Sequence, residues 1–368
     1  MSPTLAGGCD GIAAMGRQEA AGYGLNAVAE KSTNYEQMFA QEVWIRREVP
    51  DRISWPESGR GGAVASGSDA DVEPVGADGA RPNSVRRAQA FICTAHQVDP
   101  TFPRLVAQLL PIGRVYCHVD AKVSIEPFVA QLRGVDFLQN RVEVTYPTWS
   151  LMEAQLRLIR RALADGAERV TLLRSTHYPL VPPSVLDRLA EDRTDYLAAF
   201  PAPDPSRGKP PRRFANRVTT WPAFGSAGHR VVAGVRNRLA PPLDWTASLG
   251  GFPLRAGSAY WSLRRSTLLE AMVVLDRGGP LLQYFRQIES PDEVVLQTIV
   301  AAQQPALVPR EISFSRWAGR QHPEPLDEAS LDQVMASGSR WFAKKMTPAL
   351  ADFVDARLAA ASEAALPS

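Results

Sequence analysis

From Arg87 onward, short apolar runs alternate with segments of helical period, and this alternation constrains the fold more than any other feature. "AQAFICTAH" reads as a buried strand, "FPRLVAQLLP" as a helix, "RVYCHVD" as a strand and "IEPFVAQLRG" as a helix. "RVEVTYP" follows as a strand, then "WSLMEAQLRLIRRALADG" as a longer helix with Leu151, Met152, Leu156, Ile159 and Leu163 on its apolar side. "RVTLLRST", "PSVLDRLAED" and "DYLAAF" continue the series. Buried strands separated by helices predict an α/β fold with a mostly parallel central sheet and helices on both faces. Ligands of such sheets bind beyond the carboxyl ends of the strands, where His96, Asp120, Tyr146 and Ser175 are expected.

The N-terminal part lacks this order. Residues 57–85 are rich in Gly, Ala, Ser and Asp without apolar period and read as a flexible linker. "YEQMFAQEVWIRREV" (Tyr35 to Val49) reads as one amphipathic helix that docks on the main domain or on a partner. The expected division is therefore an extension over 1–85, a single domain over 86–348 and a C-terminal helix or tail over 349–368. With 368 residues and 45% hydrophobic content, a sizeable core is expected. The net charge of +2 gives no support to nucleic-acid binding. Cys93 and Cys117 lie in neighbouring apolar strands and read, with Cys9, as small buried hydrophobes instead of a disulfide or metal set. No run reaches the length of a membrane span and the N-terminus lacks signal-peptide order, so the expectation is a cytoplasmic protein. Peripheral contact with a membrane or an assembly through residues 1–85 is left open.

After Phe200 the alternation stops. "PAPDPSRGKPPRRFANR" carries Arg207, Lys209, Arg212 and Arg213, either as a solvated loop or as a lid over an anionic or polyhydroxylated ligand. The dinucleotide, P-loop, zinc-hydrolase and serine-hydrolase fingerprints are all missing. Ser175 and His177 in "RSTHYP" lie close together at a strand end, but they are not read as a catalytic Ser-His pair. The one Asp-x-Asp pair, Asp69 and Asp71, lies in the linker, where nothing would position a metal. In "SPDEVVLQTIV", Ser290 suits an N-cap, Pro291 the first helical position and Glu293 the third, which describes a capping box.

Eight segments in order, "AFICTAHQVDPTFPRLVAQL", "VYCHVDAK", "YPTWSLMEAQLRLI", "LLRSTHYPLVP", "GSAYWSLRR", "SPDEVVLQTI", "ISFSRWAGRQHPEPL" and "SRWFAKKM", resemble the core-2/I-branching β1,6-N-acetylglucosaminyltransferase family, glycosyltransferase family 14, which also contains the peptide O-xylosyltransferases. The resemblance spans roughly residues 88 to 346. It implies a GT-A-like catalytic domain that moves GlcNAc or xylose from a UDP-sugar donor to a hydroxyl of a glycan or other acceptor, with inversion and without metal or other cofactor. The family's Ser/Thr-Pro-Asp-Glu helix start puts the catalytic base on Glu293. Its carboxy-terminal Phe-Ala-x-Lys-Phe motif puts a diphosphate contact on Lys345, with Met346 in place of Phe. The preceding arginine of that role falls on Arg316, with Arg320 in reserve. The His-Val-Asp strand end implies Asp120, with His96 nearby, at the nucleoside.

Trp149, Ser175, His177, Arg213, Ser258 and Tyr260 fall where a sugar or acceptor would sit. His177 stands at the position of the family's aspartate in "Leu-Ser-Gly-x-Asp-Tyr-Pro", which bears on donor-sugar or acceptor preference more than on reaction type. Chemically, a carboxylate base and cations facing a leaving diphosphate suit such a transfer. Because Glu293 cannot both cap a helix and face an acceptor, Asp292 is expected to take over helix-start duty. The alternative is a binding module of the same fold that holds a nucleotide sugar or glycan without turnover.

Overall fold

The computed structural model describes residues 88–218, 226–317 and 323–364. The expected helix at 35–49, the linker, Cys9, Asp69, Asp71 and Arg320 lie outside them. A five-stranded sheet forms the centre, in the order β3 (Asp136–Phe137), β2 (Arg114–Val119), β1 (Gln89–Ala95), β4 (Arg169–Arg174) and β8 (Ser262–Arg264). β1 pairs in parallel with both β2 and β4, β2 pairs in parallel with β3, and only β8 runs antiparallel. Every residue of β1 is buried, as expected of a strand covered on both faces. Cys93 and Cys117 are register partners on β1 and β2, both buried thiols, and burial pushes Cys93 up to about 12.

The helices fall close to their expected places. Phe102–Leu109 connects β1 to β2, with Phe102, Leu105, Val106 and Leu109 buried. Trp149–Ala164 precedes β4, and its N-cap Thr148 accepts from the Ser150 amide. β1 has β2 on one side and β4 on the other, so the order of connections reverses beside β1. The carboxyl ends of β1 and β4, at Ala95 and Arg174, therefore flank a topological switch point, where open α/β sheets bind ligands.

The third strand differs from expectation. The composition of "RVEVTYP" predicts a strand, but residues 141–147 form no ladder, and the edge strand is Asp136–Phe137. The reason is that side chains at the end of β2 take the hydrogen bonds a neighbouring strand would otherwise take. The Val142 amide donates to His118 Nε2 (2.8 Å) and the Val144 amide to Asp120 Oδ1 (3.2 Å). "DYLAAF" likewise contributes only the Tyr196 bridge to Ser262 and the short β6 (Phe200–Pro201), paired with β7 (Arg255–Ala256).

A second sheet, β5 (His177–Pro179), β10 (Phe342–Lys344) and β9 (Ser313–Phe314), carries the carboxy-terminal motif. Its core joins Tyr178, Ala343 and Met346 to Leu331 and Val334 of helix Glu328–Ser337 and to Ala351 and Val354 of helix Pro348–Ala364. The Tyr178 hydroxyl donates to Asp355, which also receives Arg104 (2.7 Å) and Gln108 (3.3 Å), fastening the last helix to the first connection of the main sheet.

Candidate active site

Glu293 does not occupy a capping box. Ser290 adopts a left-handed conformation (φ 49°) without a side-chain cap bond, Pro291–Glu293 forms a single 3₁₀ turn, and the helix proper is Val295–Gln303. The competing interaction is tertiary: the Ser290 amide donates to the Pro147 carbonyl (2.8 Å), so it is not open to Glu293. Asp292 does not take over helix-start duty either, because its buried Oδ1 has no hydrogen-bond partner. Ser290 and Lys345 are the two non-glycine residues with positive φ among the described residues. Such conformations cost about 1 kcal/mol or more and persist where surrounding contacts impose them, often at working sites.

The Glu293 carboxylate instead meets the loop after Phe200. Arg213 Nη2 donates to Oε2 at 2.6 Å, and Lys209 Nζ donates to the same oxygen. The cation side chains are each 14% exposed against 26% for Glu293, so the trio is shielded from bulk water yet open to a ligand. Burial pushes the Glu293 carboxyl up, but Lys209 and Arg213 outweigh it and hold the group below its ordinary value. Asp292 goes the other way: burial first, then the neighbouring Glu293 charge, raise it to about 6. Two adjacent carboxyls in one chain turn are thus driven apart in acidity by what faces each of them.

Several expected residues converge around this turn. The Gly257 amide donates to the Glu293 carbonyl (3.0 Å), which sets Ser258 beside it, and the Ser258 carbonyl accepts from Gln297. Gly257 is required there: a Cβ would stand 1.7 Å from the Ala198 carbonyl oxygen. Tyr260 is buried with its ring edge-on to His177 at 4.3 Å, and Lys344 Nζ lies 4.6 Å from the Tyr260 ring centre. Lys345 is exposed at the end of β10, its amide bonded to Thr176, the residue after Ser175. Trp149 opens its helix next to Pro147–Thr148, and Arg286 stacks 5.6 Å from its ring.

His177 requires a correction. It is fully buried, its Nδ1 accepts from the Arg174 amide (3.0 Å) and its Nε2 meets Ser313 Oγ (2.9 Å). The ring proton therefore sits on Nε2, both nitrogens are used, and burial keeps the ring neutral. The expected contact with a sugar gives way to a brace between β4, β5 and β9. Arg316 is also committed elsewhere, to Glu324 (3.3 Å) and Asp327 (2.5 Å), so a diphosphate would have to compete for it. His96 is exposed at the end of β1, and the Asp120 amide bonds the Ala95 carbonyl (2.8 Å), which places the nucleoside candidates side by side.

Segment 141–147 links the two halves of the site. Val144 is bonded to Asp120 at one end, and Pro147 receives Ser290 at the other. Arg174 and Lys344 are not singled out by the sequence, because each owes its place to a long-range contact, and for Asp292 the sequence suggests only a helix-start role. Lys209 was visible as part of the basic loop, but nothing local assigns it to Glu293. Among the described residues, no three His, Cys, Asp or Glu side chains gather as a metal site.

Comparison with curated proteins gives no match. A family model described as "Core-2/I-Branching enzyme" matches residues 90–334, which takes in β1, Asp120, the basic loop and the Glu293 turn. That family implies glycosyltransferase activity, consistent with a carboxylate set among cations at the carboxyl side of a mostly parallel sheet. The chain belongs to the Core-2/I-branching enzyme family.

Proposed function

We propose that this chain, on a GT-A-like domain, transfers GlcNAc or xylose from a UDP-sugar to a hydroxyl of a glycan or other acceptor, with inversion and without a metal ion. Glu293 is the base: it takes the acceptor proton as the new C1–O bond forms on one face of the sugar. The bond from C1 to the diphosphate oxygen breaks on the other face, and its electron pair leaves with UDP. Lys345 and Arg316, the latter once freed from Glu324 and Asp327, offset the charge on that leaving group, with Arg320 in reserve.

The observation that carries the reading is the Glu293 turn itself, a partly shielded carboxylate held by Lys209 and Arg213 three residues after the left-handed Ser290. In this resting arrangement the two cations hold the carboxylate ionised and weaken it as a base. An acceptor whose oxygens draw Lys209 and Arg213 away would release Glu293 and raise its proton affinity when the hydroxyl arrives. Asp120 and His96 are the nucleoside contacts, and Trp149, Ser258 and Tyr260 line the sugar side.

The test is UDP release from a panel of UDP-sugars, with and without acceptor glycans and with EDTA present, by wild type and Glu293→Gln. The expected outcome is EDTA-resistant turnover that falls about a hundredfold or more in the variant, the usual scale for losing such a catalytic group. Equal turnover by both proteins would remove Glu293 as the base, and turnover abolished by EDTA alone would remove the metal-free mechanism.

A further inference from the structure

Arg174 ends β4 at the switch point, where the order of connections reverses beside β1. Its amide is spent on His177, and among the described residues its partly buried guanidinium makes no hydrogen bond or ion pair. A guanidinium carries five donors and keeps its proton, so one left open at the carboxyl end of a strand, beside the Glu293 turn, can offer a planar fork to a ligand's oxygens. The neighbouring carboxylates do not serve. Glu293 is matched to Lys209 and Arg213, and Asp292, which attracts Arg174 through space, leaves its own Oδ1 unbonded. The same environment includes Tyr146 and Tyr260, both expected to line the site.

We infer that Arg174 is an oxyanion-binding residue of the substrate site, its planar fork receiving a pair of oxygens from the ligand. The inference rests on the nucleotide-sugar reading above. Two sources present such oxygens: the diphosphate of the donor, and a carboxylate on one of its sugars. A diphosphate would make Arg174 the cation that Arg316, tied to Glu324 and Asp327, does not supply. A carboxylate would make it a specificity residue for an acidic sugar.

Calorimetry on the full chain separates these sources, with uridine, UDP, UDP-glucose and UDP-glucuronate titrated into wild type, Arg174→Met and Arg174→Lys. If the diphosphate is the partner, Arg174→Met loses about tenfold or more in UDP affinity with uridine affinity unchanged. If a sugar carboxylate is the partner, UDP affinity holds and a wild-type preference for UDP-glucuronate over UDP-glucose disappears in the variant. Arg174→Lys keeps a point charge without the fork and is expected to fall severalfold in whichever titration Arg174→Met affects. Wild-type affinities throughout in a folded Arg174→Met overturn the inference. So does an unfolded Arg174→Met combined with an unaltered Arg174→Lys, which would make the residue structural. Failure of wild type to bind UDP counts against the donor reading itself. Inorganic pyrophosphate then decides Arg174: binding lost in Arg174→Met supports its role, and no binding in wild type overturns it.

Discussion

The link between Asp120 and the Glu293 turn depends on one neutral histidine. His118 is fully buried, its Nε2 accepts the Val142 amide, and burial lowers its pKa from the usual 6.5 to about 4. Below pH 6.5 the unfolded chain takes up a proton at this residue that the folded chain refuses until about pH 4. Stability from His118 is therefore complete above pH 6.5 and is lost as the pH falls, by about 1.4 kcal/mol per pH unit and about 3 kcal/mol over the whole window. His177, also held neutral by burial, acts in the same direction. Asp292 opposes both: raised to about 6, it is protonated first in the folded state, and its contribution favours folding at the acidic end and fades as pH rises through 6.

His118→Gln keeps an acceptor within reach of the Val142 amide and removes the titrating ring. Urea denaturation at several pH values between 5 and 7 is the assay. The variant is expected to start somewhat less stable at pH 7 but to lose about 2 kcal/mol less than wild type by pH 5. An NMR titration of the His118 ring should show no protonation above pH 5. Identical pH dependence in both proteins, or a ring titrating near 6.5, would refute the reasoning. Because protonation would turn the Nε2 acceptor into a donor facing the Val142 amide, UDP affinity is expected to weaken in acid along with stability.

Other perturbations test the frame around the site. Gly257→Ala drives a methyl group into the Ala198 carbonyl beside the Glu293 backbone. It should cost about 1–3 kcal/mol or more and abolish turnover, which melting curves and UDP release would show; near-native behaviour would mean this approach is looser than described. Asp355→Ala removes the shared acceptor of Tyr178, Arg104 and Gln108. With Asp355 partly exposed, about 1–2 kcal/mol is expected, together with faster proteolysis of helix Pro348–Ala364. Unchanged cleavage would show that apolar packing alone holds that helix.

The α/β class, the parallel strands β1, β2 and β4 and the long helix before β4 were legible in the sequence because each is dictated locally. An unbroken apolar run belongs in a strand buried on both faces, and a repeat near 3.6 belongs on a helix. The ordered segments that carry the family resemblance were legible for the same reason, with Glu293 among them. Tertiary structure decided where local rules conflicted with distant partners. Residues 141–147 have strand composition, but His118 and Asp120 take their amides. Ser290 has the chemistry of a cap, but Pro147 takes its amide and turns it left-handed. The pairing of Glu293 with Lys209 and Arg213 joins residues about eighty positions apart, and Arg174 meets the charge of Asp292 from more than a hundred positions away. Local preference is set by the nearest few residues along the chain. Charge pairing and acidity are set by whatever burial brings within a few ångströms, which sequence spacing does not encode.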